Sequence, residues 1–148
     1  MEDRFHMLLY RASLAQRSYL RAGLSKVDGL EPGQPKLLEY LVVYGPCRQR
    51  ELADYFEIDS AAVSRMLDGM EREGFVTRRI QESSRRCNRV EITEKGRQAY
   101  RVWHGHCQAM EEALLRGFSA GEKEALFSYL SRIYLNFQKE KEERSCGI

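Results

Sequence analysis

The chain has 148 residues, enough for one compact domain, and its 43% hydrophobic and 31% charged content is that of a globular protein rather than a disordered or fibrous one. Its 24 basic and 22 acidic side chains nearly cancel to a net charge of +2, so a surface for a polyanion must come from local clustering and not from bulk charge. No run approaches the roughly 20 apolar residues of a membrane span, and the charged start lacks the apolar stretch of a signal peptide. This predicts a cytoplasmic protein with no membrane partner, its four cysteines kept as thiols.

Phe5, Leu8, Leu9, Ala12, Ala15 and Tyr19 recur at three- and four-residue steps, the apolar stripe of a helix over about 4–23. Past the breaker-rich Asp28-Gly29-Leu30-Glu31-Pro32-Gly33, a second helix runs from Gln34, with Pro35 tolerated in its first turn, to the stop at Gly45-Pro46. A short helix follows over Gln49 to Phe56, with Leu52, Ala53 and Phe56 on one face. The turn Glu57-Ile58-Asp59-Ser60 then offers Asp59 or Ser60 as the cap of a helix from Ala61 to Glu73, which Gly74 ends. Two short helices joined by a tight turn make a helix-turn-helix.

Beyond Gly74 the period changes. Phe75 to Ile80 is rich in β-formers and Arg89 to Ile92 alternates, with a polar loop from Gln81 to Asn88 between them, so the segment reads as a β-hairpin, or wing. Arg78, Arg79, Arg85, Arg86 and Arg89 face a single acid there, Glu82, a local basic patch in a near-neutral chain. Thr93 and Gly96 open a long helix carrying Ala99, Val102, Trp103, Ala113 and Leu114, with Gly105 and Gly117 as weak points. Ser119 and Glu122 form a capping box for a last helix with Leu126, Phe127, Leu130, Ile133, Tyr134 and Phe137 on its apolar side.

The expected architecture is mainly α with a small β-hairpin wing: one domain over 1–148, a winged helix-turn-helix core at about 34–95, and dimerisation helices at about 4–23 and 97–142. A recognition helix needs small or polar residues on its leading turns to enter the major groove and an apolar side to hold it to the scaffold. Ser60, Ala61, Ala62, Ser64 and Arg65 supply the first, and Val63, Met66, Leu67 and Met70 the second. Arg79, Arg85 and Arg86 on the wing have a target in phosphates and in a narrow minor groove. Taken singly, these features also describe a packing helix and a solvated hairpin tip. Together they point to double-stranded DNA as the partner.

The blocks Arg50-Glu51-Leu52-Ala53, Asp59 to Asp68, Glu71 to Arg78, Ser84-Arg85-Arg86 and Ile92 to Gly96 resemble the multiple antibiotic resistance regulator (MarR) family. The resemblance implies a homodimer on a pseudo-palindromic operator and repression relieved by a small apolar or aromatic effector, or by thiol oxidation. Two positions depart from the family pattern: Ser84 stands where the wing usually has an aspartate, and Ala62 where the recognition helix often has a threonine.

Other constellations are weaker. His104-x-His106-Cys107 suggests a zinc-responsive regulator on paper, but residues two apart on a helix face about 200° apart. No C-x-x-C pair occurs, so no metal is expected. Cys87 lies among arginines that favour its thiolate, the basis of a redox-responsive alternative. No nucleophile with its base, no paired acids and no phosphate-cradling glycine loop emerges, so neither catalysis nor a cofactor is expected. A winged domain used only for protein contact is the remaining alternative, and Arg65, Arg85 and Arg86 speak against it.

Overall fold

The computed structural model describes residues 4–80 and 88–146. In chain order the elements are α1 (Phe5–Gly23), a 3-10 turn (Leu24–Lys26), α2 (Gln34–Tyr44), β1 (Cys47–Arg48), α3 (Gln49–Phe56), α4 (Ser60–Arg72), β2 (Val76–Ile80), β3 (Asn88–Ile92), α5 (Glu94–Leu114) and α6 (Ala120–Cys146). The chain divides into two compact units, Met1–Met110 and Glu111–Ile148.

In the first unit, α2, α3 and α4 surround a core of Leu37, Leu38, Leu41, Leu52, Val63, Leu67 and Met70, all buried. Each such side chain contributes about 1.5–3 kcal/mol by leaving water. Phe75, Val76 and Val90 close the core from the sheet, and Ala99 and Trp103 from α5. Buried Gln34 ties two of the helices together: its side-chain carbonyl accepts the Glu31 N–H at 2.9 Å, and its amide donates to the Met66 carbonyl of α4 at 3.4 Å.

The sheet has three antiparallel strands in the order β1-β3-β2, one more than the expected hairpin. A two-residue strand carries no readable alternation, and Cys47–Arg48 follows directly on Gly45-Pro46. The register pairs Val76 with Ile92, Thr77 with Glu91, Arg78 with Val90 and Arg79 with Arg89, while Cys47 pairs with Val90 and Arg48 with Arg89. Directly opposed residues share a face, so Val76, Arg78, Val90, Ile92 and Cys47 line one side and Thr77, Arg79, Glu91, Arg89 and Arg48 the other.

Thr93 sets the start of α5. Its hydroxyl accepts the Gly96 N–H at 3.0 Å and donates to the Gly74 carbonyl at 2.6 Å. Gly96 is required here by close approach, since a Cβ would overlap the carbonyl of Phe75. At Gly23, the last residue of α1, a Cβ would overlap the His106 ring of α5.

In the second unit α5 ends at Leu114. Gly117, expected as a weak point of the long helix, takes the left-handed conformation (φ +86°) in the turn between α5 and α6, the two helices expected over about 97–142. The capping box forms as expected: the Glu122 carboxylate accepts the Ser119 N–H at 2.8 Å and the Ser119 hydroxyl accepts the Glu122 N–H at 3.3 Å. Hydrogen bonding to the Ser119 N–H, and then to the Ser119 side chain, holds the Glu122 carboxyl below its ordinary range. No residue of α6 is buried, and Phe127, Leu130, Tyr134 and Phe137 are exposed.

Candidate nucleic-acid interface

The helix α4 begins where the Asp59 carboxylate accepts the Ala62 N–H at 2.7 Å, so Asp59 is the cap and Ser60 the first helical residue. The buried stripe Val63, Leu67 and Met70 fixes the rotation of the helix against the core. That rotation leaves Ser60, Ala61 and Arg65 exposed and Ala62 and Ser64 half-buried at the rim, so all five expected helix residues fall on or beside the outward face. Arg65 makes no ion pair among the described residues, which leaves its five N–H donors available for an external acceptor.

The preceding helix is locked to this end of α4. The Gln49 side-chain amide donates to the Ser60 carbonyl at 3.4 Å, and the Glu51 carboxylate accepts the Arg48 N–H at 2.6 Å at the start of α3. Leu52 and Ala53 of α3 share one buried core with Val63 and Leu67 of α4, and that packing sets the angle between the two helices.

Arg78 and Arg79 have separate jobs because successive side chains on β2 point to opposite faces. The Arg78 guanidinium reaches Asp68 at 2.5 Å and Glu71 at 2.7 Å on α4. Partial burial works against its charge, but the bonds to Asp68 and Glu71 more than offset this and raise its pKa above the ordinary value. Arg78 thus belongs to the scaffold, where it neutralises two carboxylates that would otherwise repel phosphate. Arg79 is exposed on the outer face, opposite Arg89. Arg85 and Arg86, with Ser84 and Cys87, lie outside the described residues.

The histidine pair separates as the helical angle requires. His106 is buried, with Nε2 3.0 Å from the Tyr19 carbonyl and its ring stacked on Tyr19 at 4.9 Å, whereas His104 is exposed beside Tyr100. No group of three or more His, Cys, Asp or Glu side chains is poised for a metal among the described residues. Cys47 is buried under the sheet, and its thiol is pushed up to about 11 by burial and then by Glu51, with Arg89 pulling the other way. Only the thiolate attacks. At pH 8, Cys47 is therefore expected to alkylate on the order of 100-fold more slowly than Cys146 on exposed α6, a gap that peptide-mapped labelling measures and that urea should close. Equal native rates would contradict that environment.

A capped helix with small leading residues and an outward arginine, braced by a second helix and flanked by a sheet with an arginine-bearing outer face, defines a winged helix-turn-helix DNA-binding protein. A model of the MarR family matches residues 30–88. The chain is 33% identical over 107 residues to the HTH-type transcriptional regulator YwoH of Bacillus subtilis (strain 168), covering 72% of this chain and 77% of that one. It is 27% identical over 94 residues to YybA of the same organism, 64% of this chain and 63% of that one. A MarR family transcriptional regulator from Listeria monocytogenes, solved with a 26mer DNA, superposes with a TM-score of 0.80 at 21% identity, covering 99% of this chain and 97% of that one. The chain belongs to the MarR family of DNA-binding transcriptional regulators, which act by binding and not by catalysis.

Proposed function

We propose that the protein is a homodimeric repressor that reads a pseudo-palindromic operator through Ser60, Ala61, Ala62, Ser64 and Arg65 of α4, with Arg79, Arg85 and Arg86 holding the flanking backbone and minor groove. The observation that carries this reading is the outward leading face of α4, small at Ser60 and Ala61 and ending in an Arg65 with no ion pair among the described residues. A guanidinium in that position matches the O6 and N7 of guanine, and the alanines match thymine methyls. Two-fold symmetry is supported by the exposed apolar rows of α1 and α6. A mobility shift with the DNA upstream of the protein's own gene, against a scrambled duplex, tests the reading. Preferential retardation supports it, and equal retardation of both duplexes contradicts it.

An aromatic effector is a second element of the proposal. Its support lies within the winged lobe, in a groove of about 290 Å³ between α2 and α3 lined by Tyr40, Tyr44, Tyr55 and Phe56 with Val43, Lys36 and Glu39. Ring centroids there stand 4.8 Å apart for Tyr40 and Tyr44 and 4.9 Å for Tyr40 and Tyr55, so the rings pack on one another and present an aromatic wall to the groove. Because α3 braces the first residue of α4, a ligand preferring one α2–α3 packing shifts the DNA-competent population. Single-ring aromatic compounds are expected to weaken operator binding, with Tyr44→Ala raising the half-effective concentration at least about tenfold. Compounds that bind without altering operator affinity would sink the effector element.

A further inference from the structure

The outer face of the sheet carries an arrangement that the hairpin pattern hides. Arg48 of β1, Arg89 of β3 and Arg79 of β2 occupy one register, Arg48 opposite Arg89 and Arg89 opposite Arg79, so the three guanidinium side chains stand in a row across all three strands. With strands about 4.8 Å apart, the row spans roughly 10 Å. All three side chains are exposed. Like charges directly opposed across strands destabilise a sheet, and acids relieve little of that cost here. Arg89 approaches Glu91 only at 4.0 Å, and Arg48 and Arg79 make no ion pair among the described residues.

The position of the row is as informative as its charge. At one end Arg48 precedes Gln49, whose side chain bonds the carbonyl of Ser60, the first residue of α4. At the other end Arg79 and Arg89 lead into the two sides of the wing. The row therefore runs from the end of the recognition helix that enters the major groove to the base of the hairpin. A polyanion lying along both elements passes over it.

We infer that Arg48, Arg89 and Arg79 form a phosphate-binding strip, in which Arg48 and Arg89 are DNA-contacting residues that hold the backbone between recognition helix and wing. The strip neutralises phosphates without reading bases, so its loss lowers affinity for every sequence alike. This rests on the DNA-binding assignment and adds two residues to it.

The test uses the full-length protein and a random-sequence duplex, with affinity measured across salt. Each phosphate contact contributes about 0.9 to the slope of log affinity against log salt. Arg48→Ala and Arg89→Ala should each lower that slope by about 0.9, and the double variant by about 1.8. Arg48→Lys and Arg89→Lys should keep the wild-type slope, since the charge stays. Arg132→Ala, on exposed α6, removes the same net charge away from the strip and should leave the slope unchanged. Thermal melts identify any variant whose fold has changed, and the lysine variants then carry the comparison through a 100-fold excess of short competitor duplex, where they should match wild type. Unchanged slopes in both alanine variants, or an equal fall in Arg132→Ala, would overturn the strip while leaving DNA binding intact. Failure of the wild-type protein to bind the duplex would overturn the assignment beneath it.

Discussion

Replacing Leu130 and Tyr134 of α6 together with aspartate is expected to convert the proposed homodimer to monomers and to lower operator affinity by on the order of 10²–10⁴, the advantage that linking two half-site contacts confers. The argument begins with Phe127, Leu130, Tyr134 and Phe137, which recur at helical steps and are 54%, 44%, 59% and 62% exposed. A 27-residue helix with no buried residue leaves most of its apolar face uncovered, and helices in proteins draw most of their stability from packing such a face. In the proposed homodimer a second copy supplies that packing, and carboxylates placed in the same seam cost desolvation. Light scattering at micromolar concentration measures the first effect and operator titration the second. A double variant that stays dimeric would remove α6 from the interface.

Arg65→Ala is the other change with a large expected effect. A bidentate arginine–guanine contact is worth about 1–3 kcal/mol of discrimination, so the ratio of operator to scrambled affinity should fall about 5- to 150-fold. Arg79→Ala, on the outer face of the sheet, should lower both affinities in near-equal proportion and leave the ratio in place. The contrast follows from where each side chain points: α4 is rotated by Val63, Leu67 and Met70 so that Arg65 faces outward from its second turn, whereas Arg79 stands on the outer face of the sheet, proposed to meet the DNA backbone. Titration of both variants on both duplexes across salt separates the roles. An unchanged operator preference in Arg65→Ala would mean that another element reads the bases.

The parts of the fold written in local chemistry were legible in advance. Asp59, Gly74, Thr93 and the Ser119–Glu122 box mark helix ends through their own hydrogen bonds or backbone angles, and those ends fall within a residue of where the caps predict. Leu52, Val63 and Leu67 are buried because their spacing puts them on one side. What stayed hidden depends on pairing between distant segments. β1 has two residues and exists because Cys47 and Arg48 meet Val90 and Arg89 some forty positions on. The basic run of the wing divides into the scaffold residue Arg78 and the outward Arg79 only once β2 has a defined core face, although strand alternation already separates neighbours. Arg48 carried no signal at all, since a single arginine before a helix is commonplace and its meaning comes from register. The apolar stripe of α1 was read correctly as a stripe, yet Phe5, Leu8 and Tyr19 are exposed, because periodicity shows that a face is apolar without showing what covers it.

The most direct measurement of the central claim is a hydroxyl-radical footprint of the wild-type protein on the DNA upstream of its own gene, read beside its stoichiometry. A two-fold pair of recognition helices places two half-sites about one helical turn apart, roughly 34–36 Å or a multiple of it. The account predicts two symmetric protected segments at that spacing, saturating at two chains per site, with both lost in Arg65→Ala at concentrations that still retard random DNA. A single protected segment at one chain per site, or uniform protection without boundaries, would contradict it.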